Sequence, residues 1–592
     1  MKDFFKNVLA TIVGLFAFGI ICTVLCVMSL IGMIASTQSK QTVKKNSVFV
    51  MKLDGEIADH SVSNIFAELQ GQPKSIGLNE MVTDIEKAAQ NDKIKGIYLE
   101  MHSFSGMPAT LQELRQSLAK FRKTGKWIVA YGDNYTEPAY YIASVANSVY
   151  INPQGMLDWH GLGGEQVYVK DLAAKLGVKF QVFKVGAFKS ATEMFTNDKM
   201  SAENRLQTET YLKGIWGNMC KDVSASRGIS VDTLNALADR YIGFETTDVY
   251  KKYKLIDGTL YANEVKKEIK ARLGIKEDDD IAQIGFADMD GIPYECANDG
   301  DDEIAIYHAE GDIVDEIIPN AVFGGGQRIV ATEVCRDLED LANDDDVKAV
   351  VIRINSGGGS AYASEQMWHQ ITELKKKKPV VVSMGAMAAS GGYYMSCNAN
   401  WIVAQPTTLT GSIGIFGVLP DVSALMTQKL GLKFDEVKTN RNTTMFSSSR
   451  PMSVEECAIM QRYINHGYRL FSKRVCDGRK MQPAELEKIA GGHVWLGSDA
   501  LKIRLVDQLG SLDDAIAKAA QLAKVKNYHT AGYPAPASWS DQLLLRASGN
   551  DNYLDEGFKM ALGTMYEPVS SVMSLRGQSR VQARVPYYLI LR

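Results

Sequence analysis

Short apolar runs alternate with amphipathic stretches along most of the chain, and the whole alternation occurs twice. VFVMKLDGEIAD (48–59) reads as a strand and turn, and IAIYHAEGDIVD (304–315) repeats it at an offset of 256. A helical stretch follows in each half, ending at Asn91-Asp92 and at Asn343-Asp344. Buried strands are predicted next, at 96–101 and 349–354, and then, after a loop and a helix, at 127–131 and 380–384. KYKLIDG (252–258) is echoed by KIRLVDQ (502–508). Strands alternating with helices at this spacing predict βαβ units and mostly parallel sheets. The fold class is therefore α/β, in two tandem units.

The tightest part of the repeat spans 94–161 and 347–414, which align without a gap at an offset of 253. Gly132 falls on Gly385, Tyr140 and Tyr141 on Tyr393 and Tyr394, Asn147 on Asn400, and Pro153 on Pro406. At the same offset Ser390 falls on Glu137. A scaffold is retained for folding reasons, so a divergence at a turn of small residues points to function.

The chain divides into an N-terminal anchor and spacer (1–46), a first repeat (47–275), an acidic connector (276–303), a second repeat (304–525) and a C-terminal extension (526–592). The apolar run 8–35, preceded by Lys2 and Lys6, is long enough to span a bilayer and longer than the core of a cleaved signal peptide. It predicts one uncleaved transmembrane helix. Lys40, Lys44 and Lys45 on its far side leave the orientation open. In the extension, the alternation in RVQARVPYYLIL (580–591) predicts a strand.

With a net charge of −4, nothing argues for nucleic acid, whose backbone calls for a basic surface. The eight cysteines include no CxxC pair, which argues against a zinc or dithiol redox site. DMDG (288–291) lacks the remaining ligands of a calcium loop. Neither a metal nor a cofactor is expected.

Chemistry is legible at three places. In MGAMAASGGYY (384–394) a strand runs into small residues and then toward a helix, leaving the Ser390 hydroxyl little steric cover. In RINSGGGSAYASE (353–365), Gly357, Gly358 and Gly359 free the backbone to turn its N–H groups toward a developing oxyanion. The first half has Phe104, Ser105 and Gly106 there, so it lacks both serine and cradle. A serine nucleophile needs a base, and none of the eight histidines lies in a triad motif. Lysine is the alternative if burial lowers its pKa. The candidate is Lys189 in FKVGAFKSATEMF (183–195), which falls opposite Thr443 of the second half. Each half then keeps one reactive residue that the other has lost.

These segments, with QPTTLTGSIGIFG (405–417), resemble the S49 peptidases in their long, duplicated, membrane-anchored signal-peptide-peptidase form, over essentially the whole chain. The resemblance implies tandem ClpP/crotonase-like domains and a Ser–Lys dyad, with Ser390 as nucleophile and Lys189 as general base. It implies that Ser412 hydrogen-bonds the lysine amine. For the oxyanion, the Gly358 N–H is the first choice of donor and the Gly391 N–H the second. It also implies a homotetramer on the outer, periplasmic face of the bacterial cytoplasmic membrane, cleaving released signal peptides and other apolar peptides. The family often has Ser-Pro-Gly-Gly where this chain has Ser356-Gly357-Gly358-Gly359. An extended peptide pairing with a strand edge is the expected binding mode. Two other readings compete: a crotonase-type acyl-CoA enzyme and a non-catalytic membrane scaffold.

Overall fold

A computed structural model describes residues 43–60, 77–289, 291–292, 300–316, 327–535 and 581–585, with helical positions 11, 14, 15, 18, 19, 21 and 22. The predicted anchor lies largely outside the described residues. Among those that are described, no helix is long and apolar enough to cross a membrane.

Each half builds its own sheet. The first has the order Gly258–Thr259, Ser148–Ile151, Trp127–Gly132, Ile94–Gly106, Ser47–Ile57, Gln283–Ile284, with every pair parallel. The second runs Val494–Leu496, Leu409–Gly411, Val380–Ala389, Val347–Ser356, Asp302–Glu310, Tyr528–Tyr533, and is parallel except at Val494–Leu496. The Trp401–Ala404 strand also pairs with Val380–Ala389. The predicted strands fall within these elements. The connector is partly folded: Gln283–Ile284 joins the edge of the first sheet, and Ile284, Met289 and Ile292 are buried.

Residues that repeat in sequence also repeat in structure. Asn147 Oδ1 accepts from the Ile128 N–H at 2.8 Å, and Asn400 Oδ1 from the Val380 N–H at 2.9 Å. The Tyr140 hydroxyl donates to Leu255 O and the Tyr393 hydroxyl to Leu505 O, each at 2.9 Å. The echoed aspartates take a strand amide apiece, Asp257 from Val149 and Asp507 from Ile402, while Arg227 and Arg479 grip them with two bonds. Buried backbone donors must find acceptors. The Asn and Asp side chains supply acceptors for strand-end amides and the Tyr hydroxyls donate to buried carbonyls, which is why both copies keep them.

A third sheet draws on both halves and the C-terminal extension. Its order is Arg328–Val330, Asp312–Val314, Gly358–Ser360, Gln582–Arg584, Phe416–Asp421, Lys179–Lys184. The strand Lys179–Lys184 comes from the first half and pairs antiparallel with Phe416–Asp421 of the second. The strand predicted in the extension is present at Gln582–Arg584.

The halves are also joined by a buried charge cluster. Arg353 of the second half donates to Asp59 at 2.6 and 2.7 Å and to Glu113 at 2.9 Å, both from the first half. It also donates to Ser383 Oγ at 2.9 Å. All three charged side chains are at most 5% exposed. Burial alone would push the Asp59 carboxyl up, but the Arg353 guanidinium overrides this and holds it below its usual range. Arg353→Met would leave two buried carboxylates without a cation, which costs about 3–5 kcal/mol. Urea unfolding at neutral pH should show that loss. It should shrink as the pH falls, because protonated carboxyls no longer carry an unpaired charge.

Candidate active site

Two adjacent parallel strands deliver the two serines. Val380–Ala389 pairs with Leu409–Gly411 over Met387–Leu409, Ala388–Thr410 and Ala389–Gly411. Ser390 and Ser412 are therefore the next residues on neighbouring strands. Both leave the strand with positive φ, 54° and 50°, a region that non-glycine residues rarely enter. The turns are held by hydrogen bonds, the Ser390 N–H to Gly411 O at 2.8 Å and the Ser412 N–H to His493 O at 2.7 Å.

Lys189 reaches this point from the first half. The pairing of Lys179–Lys184 with Phe416–Asp421 carries the chain across the seam, and the following loop turns at Gly186, with φ 96°. The Phe188 N–H donates to Gly491 O at 3.1 Å. Gly492 is needed beside the lysine, because a Cβ there would lie 2.6 Å from the Lys189 backbone nitrogen. A Cβ on Gly414 would lie 3.2 Å from Lys189 Cδ. Gln207 brackets the loop. Its Nε2 donates to Ser190 Oγ at 2.9 Å and Phe188 O at 3.2 Å, and its Oε1 accepts from the Val494 N–H at 3.2 Å.

Lys189 Nζ lies 2.7 Å from Ser390 Oγ and donates to Ser412 Oγ at 3.0 Å and Ser412 O at 3.1 Å. All three residues are fully buried. The Phe416 ring centroid lies 6.0 Å from the amine. Burial pushes the Lys189 pKa well below the usual lysine range. Desolvation disfavours the ammonium, and no carboxylate offsets it.

The two predicted glycines are also adjacent. A Cβ on Gly391 would lie 3.1 Å from Gly358 Cα, and one on Gly358, where φ is 100°, would lie 2.7 Å from the Gly391 nitrogen. The Gly358 N–H donates to Ser356 Oγ at 3.1 Å. The structure thus brings all five predicted residues into one place. Sequence reasoning missed Gly492, Gly414, Gln207 and Ser356; the Gly491-Gly492 pair was the signal available for the first.

The matching positions of each half are closed to this chemistry. Glu137, opposite Ser390, is buried and accepts the His160 and Gly161 N–H groups at 3.1 and 2.9 Å. Burial pushes its carboxyl pKa up. Thr443, opposite Lys189, sits exposed in a loop and bonds to Asn440 O.

The sequence profile of Peptidase family S49 matches residues 120–276 and 372–526, one match in each half. Protease 4 of Salmonella typhi is 36% identical over 533 residues, covering 87% of this chain and 84% of its own. The chain belongs to peptidase family S49. It is a serine peptidase. Protease 4 of Haemophilus influenzae is 35% identical over 84% of this chain and 83% of its own. The chloroplastic serine protease SPPA of Arabidopsis thaliana is 30% identical over 82% and 70%.

The lowered lysine pKa gives two expectations. Peptidase kcat/KM should climb with pH through one ionisation below the usual lysine range, as the amine loses its proton. Lys189→Met should abolish turnover yet raise stability by about 1–2 kcal/mol, since it removes a buried ionisable group. The folded amine binds its proton less readily than the unfolded one. The gain should therefore be largest at low pH and fade as pH approaches the usual lysine range. Chemical unfolding across pH checks this.

Proposed function

We propose that this S49 peptidase is a membrane-anchored endopeptidase that uses a Ser390–Lys189 dyad to degrade cleaved signal peptides and other apolar peptides. The observation that carries the reading is the 2.7 Å approach of Lys189 Nζ to Ser390 Oγ in a fully buried setting. A neutral amine has two N–H donors and one lone pair. The donors suit Ser412 Oγ and Ser412 O, which leaves the lone pair for the Ser390 hydroxyl proton.

In the mechanism, Lys189 takes that proton as Ser390 Oγ attacks the scissile carbonyl. The Gly391 N–H, beside Gly358, stabilises the oxyanion; with the Gly358 N–H on Ser356 Oγ, Gly391 is the more available donor. The ammonium then protonates the leaving amine. Neutral again, Lys189 activates the water that releases the acyl-enzyme. Ser412 holds the amine in line throughout.

Membrane attachment rests on the apolar run 8–35, whose Leu15, Phe18 and Ile21 are exposed helical positions. The family resemblance supports the ClpP/crotonase-like description of each repeat. It also supports a homotetramer on the outer face of the bacterial cytoplasmic membrane.

The test is turnover of an apolar peptide ester or amide by wild type, Ser390→Ala and Lys189→Ala, with fluorophosphonate labelling alongside. Each substitution should lower kcat by about 10³-fold or more, with labelling lost in Ser390→Ala. Turnover surviving in both variants would sink the dyad.

A further inference from the structure

The strand that ends before Ser390 is irregular. Val380–Ala389 pairs in step with Val347–Ser356 as far as Ile354–Met384, and the pairing resumes at Ser356–Ala388. Three residues, 385–387, therefore stand opposite the single residue Asn355. The neighbour on the other side changes at the same point: Met384 pairs with Ala404, and Met387 with Leu409. This bulge of two extra residues shortens the advance of the strand. Drawn straight, the strand would carry Ser390 about 7 Å further along, and the 2.7 Å approach to Lys189 Nζ would be lost.

A bulge breaks the ladder, so its backbone groups must find other partners. Three side chains supply them. Asn355 reaches into the bulge, where its Oδ1 accepts the Met387 N–H and its Nδ2 donates to Glu310 Oε1, both at 3.2 Å. The Thr408 hydroxyl donates to Gly385 O and the Thr410 hydroxyl to Ala388 O, each at 2.7 Å. Thr408 Oγ1 also accepts the Gln405 N–H at 3.0 Å, which ties the bulge to the turn beside it. Both threonines are fully buried. A Cβ on Gly385 would lie 3.3 Å from Asn355 Cβ, so a glycine keeps that space clear.

The first half has different side chains at all three positions. At the offset of 253, His102 stands for Asn355, Gly155 for Thr408 and Leu157 for Thr410, while Gly132 matches Gly385. The ladder there ends at Met101–Gly132, and Tyr135 meets Leu157 in an isolated bridge. The three residues thus change between the copies together with Ser390. Ser390 itself holds φ 54° and ψ −108°, a strained conformation that persists only where the surroundings impose it.

We propose that Asn355, Thr408 and Thr410 are positioning residues for the peptidase reaction: they lock the bulge at 385–387 and so aim Ser390 Oγ at Lys189 Nζ. The inference rests on the reading of Ser390 as nucleophile and adds the residues that aim it. Each acts through the backbone that leads to the serine. Its loss should therefore slow the chemical step and spare peptide binding.

The test follows turnover of an apolar peptide ester together with the time course of fluorophosphonate labelling. Thr410→Val keeps the shape of the side chain and removes its donor. kcat and the labelling rate constant should both fall by roughly 10- to 100-fold, with KM unchanged and labelling still running to completion. Asn355→Ala should do the same from the other wall of the bulge, and it decides the matter if the valine prevents folding. Thr410→Ser, which restores the hydroxyl, should return most of the rate. A role confined to folding would lower the extent of labelling and leave its rate constant alone. That result overturns the proposal, as do wild-type rates in both Thr410→Val and Asn355→Ala, or a serine variant as slow as the valine. Turnover and labelling that survive Ser390→Ala would instead sink the nucleophile reading, and this proposal with it.

Discussion

Everything in the site follows from keeping one amine out of water. An exposed lysine holds its proton at neutral pH and has no lone pair to offer. Only a dry surrounding, free of carboxylates, makes it a base. A single small domain would have to bury such a residue within its own core. Here the burial is achieved at a seam: the lysine arrives on the first copy and the walls that exclude solvent belong to the second. The pairing of Lys179–Lys184 with Phe416–Asp421 is what makes this possible. It converts a chain crossing into a continuous sheet, so the lysine is placed by backbone hydrogen bonds and not by a mobile loop.

The seam also explains the division of labour. In the proposed mechanism one copy carries the nucleophile, and the matching site in the other needs no chemistry. Glu137 accepts two backbone N–H groups at that position and so serves the fold. In the second copy, the segment around Thr443 has become a surface loop. The two copies therefore differ at Ser390 and Glu137 and at Lys189 and Thr443, and stay alike where strand ends need acceptors.

Much of this was legible from residues alone. Short apolar runs and their spacing mark the two parallel sheets, because most of those strands pair with sequence neighbours. Asn147 and Asn400, or Asp257 and Asp507, repeat because each satisfies a local backbone donor. Ser390 and Lys189 stood out through reciprocal loss. The third sheet was not legible: its strands come from five distant places, and nothing local in Lys179–Lys184 or Gln582–Arg584 names a partner. The space that Gly492 and Gly414 leave for the lysine was hidden for the same reason, since a glycine records an absence whose beneficiary lies elsewhere in the chain. The Ser356 bond to the Gly358 amide lay within one short motif, yet no pattern of residue types distinguishes it from an outward-facing hydroxyl.

Arg353 binds the descendants of the duplication into one heritable unit. Its two carboxylate partners lie on the other copy. Separated, each copy would carry on its seam a charge that the other now matches: Arg353 on one face, Asp59 and Glu113 on the other. The fusion therefore fixes the stoichiometry of the two copies at one to one, and neither presents a neutral seam by itself.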